Sequence, residues 1–263
     1  MKIILIKIGI FILNTIYFFI KLFPINKNKV TFISRQSNEV SLDFTMIAKE
    51  LKQQNENIKI VFLCKKLGTS FSEKVKYCFH MVKQMYNIAT SKVVILDSYC
   101  IPVCVLKQKK KLVVIQIWHA LGSLKKFGYS SLDKKDGRNS KLAKVMKMHR
   151  NYTYILTSSN LSKKFFKEAF NARDEQMLVM NLPRVDFLKS EKEQEKMKLR
   201  FTGVYPETNN KKQNILYCPT NRKGQKIPLE NIVKDIPLDK YNFIAKLHDG
   251  TEVIYVKGKK IEK

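Results

Sequence analysis

After Asn26 the chain alternates short β-branched runs with amphipathic stretches, and this alternation restricts it to an α/β fold in which strands and helices take turns in a parallel sheet. The predicted strands are 29–34, 58–64, 92–97, 112–118 and 154–157. Segments 42–54, 71–89 and 161–170 read as helices, the last with Leu161, Phe165, Phe166 and Ala169 on one core-facing side. In open α/β sheets ligands bind beyond the carboxyl ends of the strands, so the residues that follow each strand merit inspection. They are Ser34, Arg35, Gln36 and Ser37, then Asp97 and Ser98, then Trp118 and His119, then Ser158 and Ser159. Each polar group there is either a ligand contact or a cap for the next helix.

The stretch 189–213 is charged, carries Gly203 and Pro206, and reads as a helix followed by a linker. Beyond it the pattern restarts. A strand at 214–218 runs into Pro219, Thr220, Asn221 and Arg222, and a second at 241–247 runs into His248. The expected division is an apolar helix over 1–24, an α/β domain over 25–200, and a linker with the start of a second domain over 201–263. The remaining residues are too few to close a second α/β domain.

Residues 1–23, MKIILIKIGIFILNTIYFFIKLF, are the most apolar part of the molecule. A cleaved signal peptide fits poorly, since no small-residue cleavage site follows. A spanning helix needs about 20 apolar residues, a length reached only by including Lys7, Asn14 and Lys21. Those three are spaced by seven and form one narrow polar stripe. A helix lying in the membrane interface, with Lys7 and Lys21 toward the headgroups, is therefore preferred to a span.

The chain carries 50 Lys and Arg against 22 Asp and Glu, a formal net charge of +28, which implies a polyanionic partner. Nucleic acid, an anionic membrane face and a phosphate-rich substrate all qualify. The five cysteines form no Cys-x-x-Cys pair, and Cys100 and Cys104 sit in an apolar stretch as small hydrophobes, which points to reduced thiols. No metal-carboxylate cluster stands out, and no metal or cofactor is inferred.

The most specific segment is 114–133, VIQIWHALGSLKKFGYSSLD. A buried strand delivers Trp118 and His119 to a turn containing Gly122, and Lys125 and Lys126 follow. Histidine can take a proton from a hydroxyl at neutral pH. Backbone N–H groups at a helix start, with two lysines nearby, would favour a phosphate beside it. On this segment taken alone, a capped turn with a structural histidine is an equal reading.

The segment resembles the Trp-His-Gly/Ala motif of the CDP-glycerol glycerophosphotransferase family, the teichoic-acid glycerol- and ribitol-phosphate transferases. Further matches follow in order: FISRQSNEVSLDF (32–44), YILTSSNLSKKFFKEAF (154–170), NLPRVDFL (181–188), ILYCPTNR (215–222) and IAKLH (244–248). The resemblance implies a GT-B-like architecture of two α/β domains facing across a cleft. The first is a complete Rossmann-like domain with an N-terminal membrane-associating helix; the second is an incomplete α/β domain. The implied location is the cell membrane, peripheral on its cytoplasmic face.

The implied reaction moves glycerol phosphate, or a related polyol phosphate, from a CDP-activated donor to a lipid-linked teichoic-acid acceptor. By the same resemblance His119 is the general base on the acceptor hydroxyl and His248 the second-domain histidine near the donor's phosphates. Arg35, Trp118, Gly122, Lys125, Lys126, Ser158, Thr220 and Arg222 are the expected substrate-binding residues. Arg184 and Asp186 are expected to hold the interdomain region together as an Arg–carboxylate device.

Three positions depart from the family pattern: Ala120 stands where many members have Gly, Asp249 replaces a proline after His248, and nothing resembles the family's Asp-Tyr-Ser-Ser segment. The last implies a C-terminally truncated chain with little activity alone. The partners implied are a CDP-glycerol or related CDP-polyol donor, a lipid-linked wall polymer acceptor and an anionic membrane surface, with no nucleic acid expected. The charge alone also allows a non-catalytic basic protein binding nucleic acid or anionic membrane, although no nucleic-acid motif is recognisable.

Overall fold

A computed structural model describes residues 2–134, 137–219, 227–247, 255–256 and 259–260. The chain forms two compact units, Met1–Phe187 and Leu188–Lys263.

In the first unit the elements run α1 (Lys2–Ile20), β1 (Asn26–Ser34), α2 (Leu42–Gln54), β2 (Lys59–Cys64), α3 (Phe71–Thr90), β3 (Ser91–Leu96), α4 (Ile101–Val105), β4 (Val113–Gln116), α5 (Ser140–Val145), β5 (Tyr154–Thr157), α6 (Asn160–Phe170) and β6 (Met177–Val179). Helix α7 (Pro183–Lys189) carries the chain into the second unit. All six strands pair in parallel, in the order β2-β1-β3-β4-β5-β6. This is the doubly wound order whose reversal falls between β1 and β3, rather than the 3-2-1-4-5-6 order of the Rossmann fold. The crevice it opens lies where Arg35 and Asp97 leave their strands.

The period-2 pattern of the buried strands divides the core. Val94 and Leu96 face one layer with Met85, Val103, Val114, Ile155, Phe166 and Phe170. Ile95 faces the other with Val30, Phe32, Phe44, Ile117 and Leu156. Serines start three helices: Ser41 accepts from Phe44 N–H at 3.3 Å, Ser70 forms a capping box with Glu73, and Ser159 accepts from Ser162 N–H at 3.2 Å. Cys100 and Cys104 are fully enclosed, and burial pushes both thiols up to about 12, consistent with inert packing groups.

Several sequence expectations are corrected. The fourth strand is Val113–Gln116, shorter than 112–118, because the backbone turns left-handed at Trp118. On α6 the buried face is Ser162, Phe166, Ala169 and Phe170, while Leu161 is 76% and Phe165 43% exposed. The short α4, α5 and β6 escaped the sequence reading, since few residues in each leave no periodicity to detect.

Helix α1 docks on the α/β layer through Ile10, Leu13, Ile16, Tyr17 and Ile20. The Tyr17 hydroxyl donates to Gln108 Oε1 at 2.6 Å, and Gln108 Nε2 donates in turn to the Pro102 carbonyl at 2.8 Å. Ile4, Leu5, Ile8, Phe11, Phe18 and Phe19 remain exposed. Just past the end of α1, Lys21 donates to the Lys107 carbonyl at 3.2 Å. By length and composition Ile3–Ile20 could cross a membrane, and it is the one such helix among the described residues.

The second unit holds α8 (Glu191–Val204), then β7 (Gln213–Tyr217), α9 (Leu229–Lys234) and β8 (Tyr241–Ala245), with β7 and β8 parallel. Strands β9 (Tyr255–Val256) and β10 (Lys259–Lys260) pair antiparallel.

Candidate active site

Strand β1 delivers Arg35 and Gln36, β3 delivers Asp97 and Ser98, and β4 delivers Trp118 and His119 to the same end of the sheet. The central group is His119, half-buried, whose Nδ1 lies 2.8 Å from the Asp97 backbone carbonyl and 3.3 Å from Gln36 Nε2. A carbonyl only accepts, so the shorter contact assigns the proton to Nδ1 and leaves Nε2 with its lone pair. Nε2 has no protein partner among the described residues. An imidazole held in this tautomer can accept a proton from a hydroxyl.

The Asp97 side chain stands behind it, buried. Burial raises its carboxyl above the usual range, opposed by hydrogen bonds from Ser34 and Ser98 and by the charge of His119. Ser98 Oγ also accepts from Arg35 N–H at 3.0 Å, and Ser34 Oγ from Gln36 N–H at 3.1 Å. The two serines thus tie the turn after β1 to the end of β3.

Trp118 takes φ 61°, a strained backbone for a bulky residue. Two features hold it there. Its N–H donates to Gln116 Oε1 at 2.9 Å, while the Gln116 amide, fully buried, donates to the Ser98 carbonyl at 3.1 Å. Its ring stacks on Phe127 at 4.8 Å and meets Phe170 edge-on at 5.2 Å. Gly128, at φ 55°, lets the chain fold back onto α6, where a Cβ would collide with the Ala169 carbonyl. His149 fills the space beyond, boxed by Tyr99, Trp118, Tyr152 and Phe170. Burial, then the charge of Arg138, push its imidazole down to about 3.

Beside His119 a cavity of about 430 Å³ is lined by Arg35, Gln36, Lys66, Tyr99, Trp118 and Arg138, among others. Arg35 donates to the Tyr99 carbonyl at 3.2 Å, and the Arg138 guanidinium lies 5.1 Å from the Tyr99 ring centre. Of the expected site residues, the cavity brings together Arg35 and Trp118, with His119 touching two of its walls. Ser158 lies instead in a narrow neighbouring crevice of about 10 Å³ with Ile117, Ala120 and Phe166.

The expected helix start after His119 is absent: 119–127 is irregular backbone, followed by a 3-10 turn at Gly128–Ser131. Lys125 and Lys126 are exposed on that segment, outside the cavity lining. Gly122 has no positive φ, and a Cβ there would meet nothing, so the sharp turn belongs to Trp118 instead. Arg184 pairs with Asp43 of α2 rather than with Asp186: its N–H donates to Asp43 Oδ1 at 2.9 Å and its Nε to Oδ2 at 2.7 Å. The pair holds α7 to α2 within the first unit. Thr220, Arg222 and His248 lie outside the described residues.

Lys66 and Arg138 were missed from sequence. Lys66 is the second residue after β2, where the strand-end rule would have found it; Arg138 sits in a loop before α5 with no local signal.

Comparison with known proteins places these features in a family. The family model described as CDP-glycerol:poly(glycerophosphate) glycerophosphotransferase matches residues 15–258. The teichoic acid ribitol-phosphate primase of Bacillus spizizenii is 31% identical over 233 residues, covering 86% of this chain and 59% of the relative. The teichoic acid glycerol-phosphate primase of Bacillus subtilis is 26% identical, with 92% and 65% covered. The solved structure of the wall teichoic acid polymerase TagF superposes with a TM-score of 0.66 at 16% identity, covering 94% of this chain and 64% of that one, a likeness of fold. The chain thus spans about 59% of the ribitol-phosphate primase it matches. With a parallel α/β fold like that of a GT-B-like polymerase and a family match over most of its length, the chain belongs to the CDP-glycerol:poly(glycerophosphate) glycerophosphotransferase family.

Proposed function

We propose that the chain transfers a polyol phosphate, glycerol phosphate or a close relative, from a CDP-activated donor to a lipid-linked teichoic-acid acceptor at the cytoplasmic membrane face. The observation that carries this reading is the His119 Nδ1 to Asp97 carbonyl bond, which leaves Nε2 free to act as a base. Nε2 takes the proton of an acceptor hydroxyl, and the oxygen attacks the phosphorus that bears the polyol. A new P–O bond forms, the bond from that phosphorus to the bridging oxygen breaks, and CMP departs with the electron pair. Histidinium then releases its proton to solvent. Such a transfer asks the protein mainly for positioning and charge neutralisation, which the basic residues around His119 supply.

On the donor side, His248, Thr220 and Arg222 are assigned to the phosphates by their match to the family motifs. Lys125, Lys126, Gly122 and Ser158 fit less well as direct contacts, since they lie off the cavity lining. The exposed face of α1 fits in-plane attachment to the leaflet that carries the acceptor, because its opposite face is occupied by the α/β layer.

The test is CMP release from CDP-glycerol or CDP-ribitol with a prenyl-diphosphate disaccharide acceptor, either bare or bearing one glycerol phosphate. Release that survives undiminished in His119→Ala overturns the base assignment. Binding to nucleic acid with strong salt dependence and no CMP release would favour a non-catalytic basic protein instead.

A further inference from the structure

Helix α3 is apolar on two opposite sides. Its inner side, with Tyr77, Met85, Ile88 and Ala89, is buried. On its outer side Phe71 (82% exposed), Val75, Phe79 (74% exposed), Val82 and Tyr86 all face solvent. Their spacing of four, four, three and four residues keeps the five within an arc of about 80° on a helix of about 3.6 residues per turn. Apolar residues scattered singly over a surface need no explanation, whereas a continuous row marks an interaction face. Lys74 borders the row on one side and Lys76 and Lys83 on the other, all three exposed. The one acidic residue of the helix, Glu73, is taken up in the capping box with Ser70.

Helix α2 has no such row: Thr45, Lys49, Lys52 and Gln53 are exposed on it. It packs Phe44 and Ala48 against one side of the sheet, while α3 packs Met85, Ile88 and Ala89 against the other, the side that also receives Tyr17 of α1. The exposed faces of α1 and α3 join. Phe23, just past α1, meets Tyr86 edge-on with ring centres 5.5 Å apart, and both rings are exposed. Lys109 donates to the Phe23 carbonyl at this junction, and Lys29 Nζ lies 5.3 Å from the Tyr86 ring centre.

The docking of α1 decides how such a face can meet a bilayer. Ile10, Leu13, Ile16 and Ile20 hold the helix along its length, and the Tyr17 hydroxyl is bound to Gln108, so α1 cannot stand across a membrane while it stays docked. Apolar side chains on adjoining helices, with lysines along the borders and aromatic rings at the junction, suit a surface whose apolar groups reach the acyl boundary while its ammonium groups stay among headgroups. A second copy of this chain fits less well, since it would set these lysines against their own equivalents.

We propose that α3 is a second membrane-seated helix, its row Phe71, Val75, Phe79, Val82 and Tyr86 lying in the interface of an anionic phospholipid leaflet beside α1. The inference rests on the in-plane attachment read above for α1 and extends it, with both helices flat and the sheet held above them.

The probe is a vesicle of phosphatidylglycerol and phosphatidylcholine in equal parts, sedimented with the full chain, with pure phosphatidylcholine as its uncharged counterpart. Phe71→Ser combined with Phe79→Ser, with α1 untouched, weakens binding by at least about tenfold at an unchanged melting temperature, because both rings are exposed. Lys76→Gln combined with Lys83→Gln weakens binding to the anionic vesicle and leaves binding to the neutral one as it was. A tryptophan placed by Phe79→Trp is quenched by brominated acyl chains, whereas one placed on α2 by Thr45→Trp is not; this arm keeps the apolar row and judges the proposal even if the serine pair unfolds. Undiminished binding of a folded serine pair, or a Phe79→Trp signal that bromine does not quench, overturns the proposal. If binding is then still lost on replacing Phe11, Phe18 and Phe19 of α1, the reading of α1 stands alone. A vesicle-free dimer that dissociates in the serine pair also overturns it, giving the row to a second copy.

Discussion

The backbone N–H of Trp118 donates to the side-chain oxygen of Gln116 at 2.9 Å, and this bond holds a bulky residue in left-handed backbone one position before His119. Gln116 itself is anchored to the Ser98 carbonyl, so the turn that aims the histidine is braced from the neighbouring strand. Gln116→Leu removes both bonds and leaves the half-buried Trp118 N–H and the Ser98 carbonyl without these partners, at a cost of about 1–3 kcal/mol. The variant is expected to melt lower and to lose turnover by more than it loses acceptor binding. Wild-type turnover in a folded Gln116→Leu protein would show that the turn does not position His119.

The tautomer of His119 is open to direct observation. Imidazole ¹⁵N shifts at neutral pH should report a protonated Nδ1 and an unprotonated Nε2, as the 2.8 Å contact to Asp97 requires. His119→Ala should lower CMP release by about 10²–10⁴-fold with little change in melting temperature. An Nε2-protonated spectrum would contradict the assignment.

Asp43 is 1% exposed, and its ion pair with Arg184 joins α2 to α7. Breaking such a pair from one side strands a buried charge, which costs about 3–5 kcal/mol. Arg184→Met should therefore destabilise the chain strongly, while Asp43→Leu with Arg184→Met together should cost less than Arg184→Met alone. A double variant as unstable as the sum of the two single ones would show that the pair is not coupled.

His149 predicts the acid sensitivity of the fold. Its pKa, 6.5 in an unfolded chain, falls to about 3 when folded, chiefly through burial. Between those values the unfolded state binds the extra proton, so stability is complete above pH 6.5 and declines as pH drops toward 3, at up to about 1.4 kcal/mol per pH unit. His80, also depressed by burial, acts in the same direction. In urea titrations across this range His149→Phe should show a shallower decline than wild type. Parallel curves would mean that His149 does not drive it.

The exposed row of α1 gives a membrane test that leaves its docked face intact. Replacing Phe11, Phe18 and Phe19 with serine should reduce sedimentation with anionic phospholipid vesicles by at least about tenfold without altering the melting temperature. Unchanged sedimentation would place the membrane contact elsewhere.

Much of this protein was legible along the chain because the relevant signals are local. The β-branched runs of β1 to β3 repeat over enough residues for their period to be read, and serine caps mark the starts of α2, α3 and α6. Trp118 and His119 declared themselves by following a buried strand. The short β6 and α5 had no such period, and the α6 face was misjudged because helical spacing alone does not say which stripe meets a neighbour.

Strand alternation and motif order were enough to establish an α/β chain of this family, because backbone preference and side-chain period act between near neighbours. Tertiary packing decided what lies far apart in sequence. It put Arg138 into the same cavity as Arg35 and Lys66, paired Arg184 with Asp43 instead of Asp186, and moved the strained turn from Gly122 to Trp118. Those outcomes depend on which strand ends converge and which buried groups must find partners, and only the closed sheet with its helices in place specifies either.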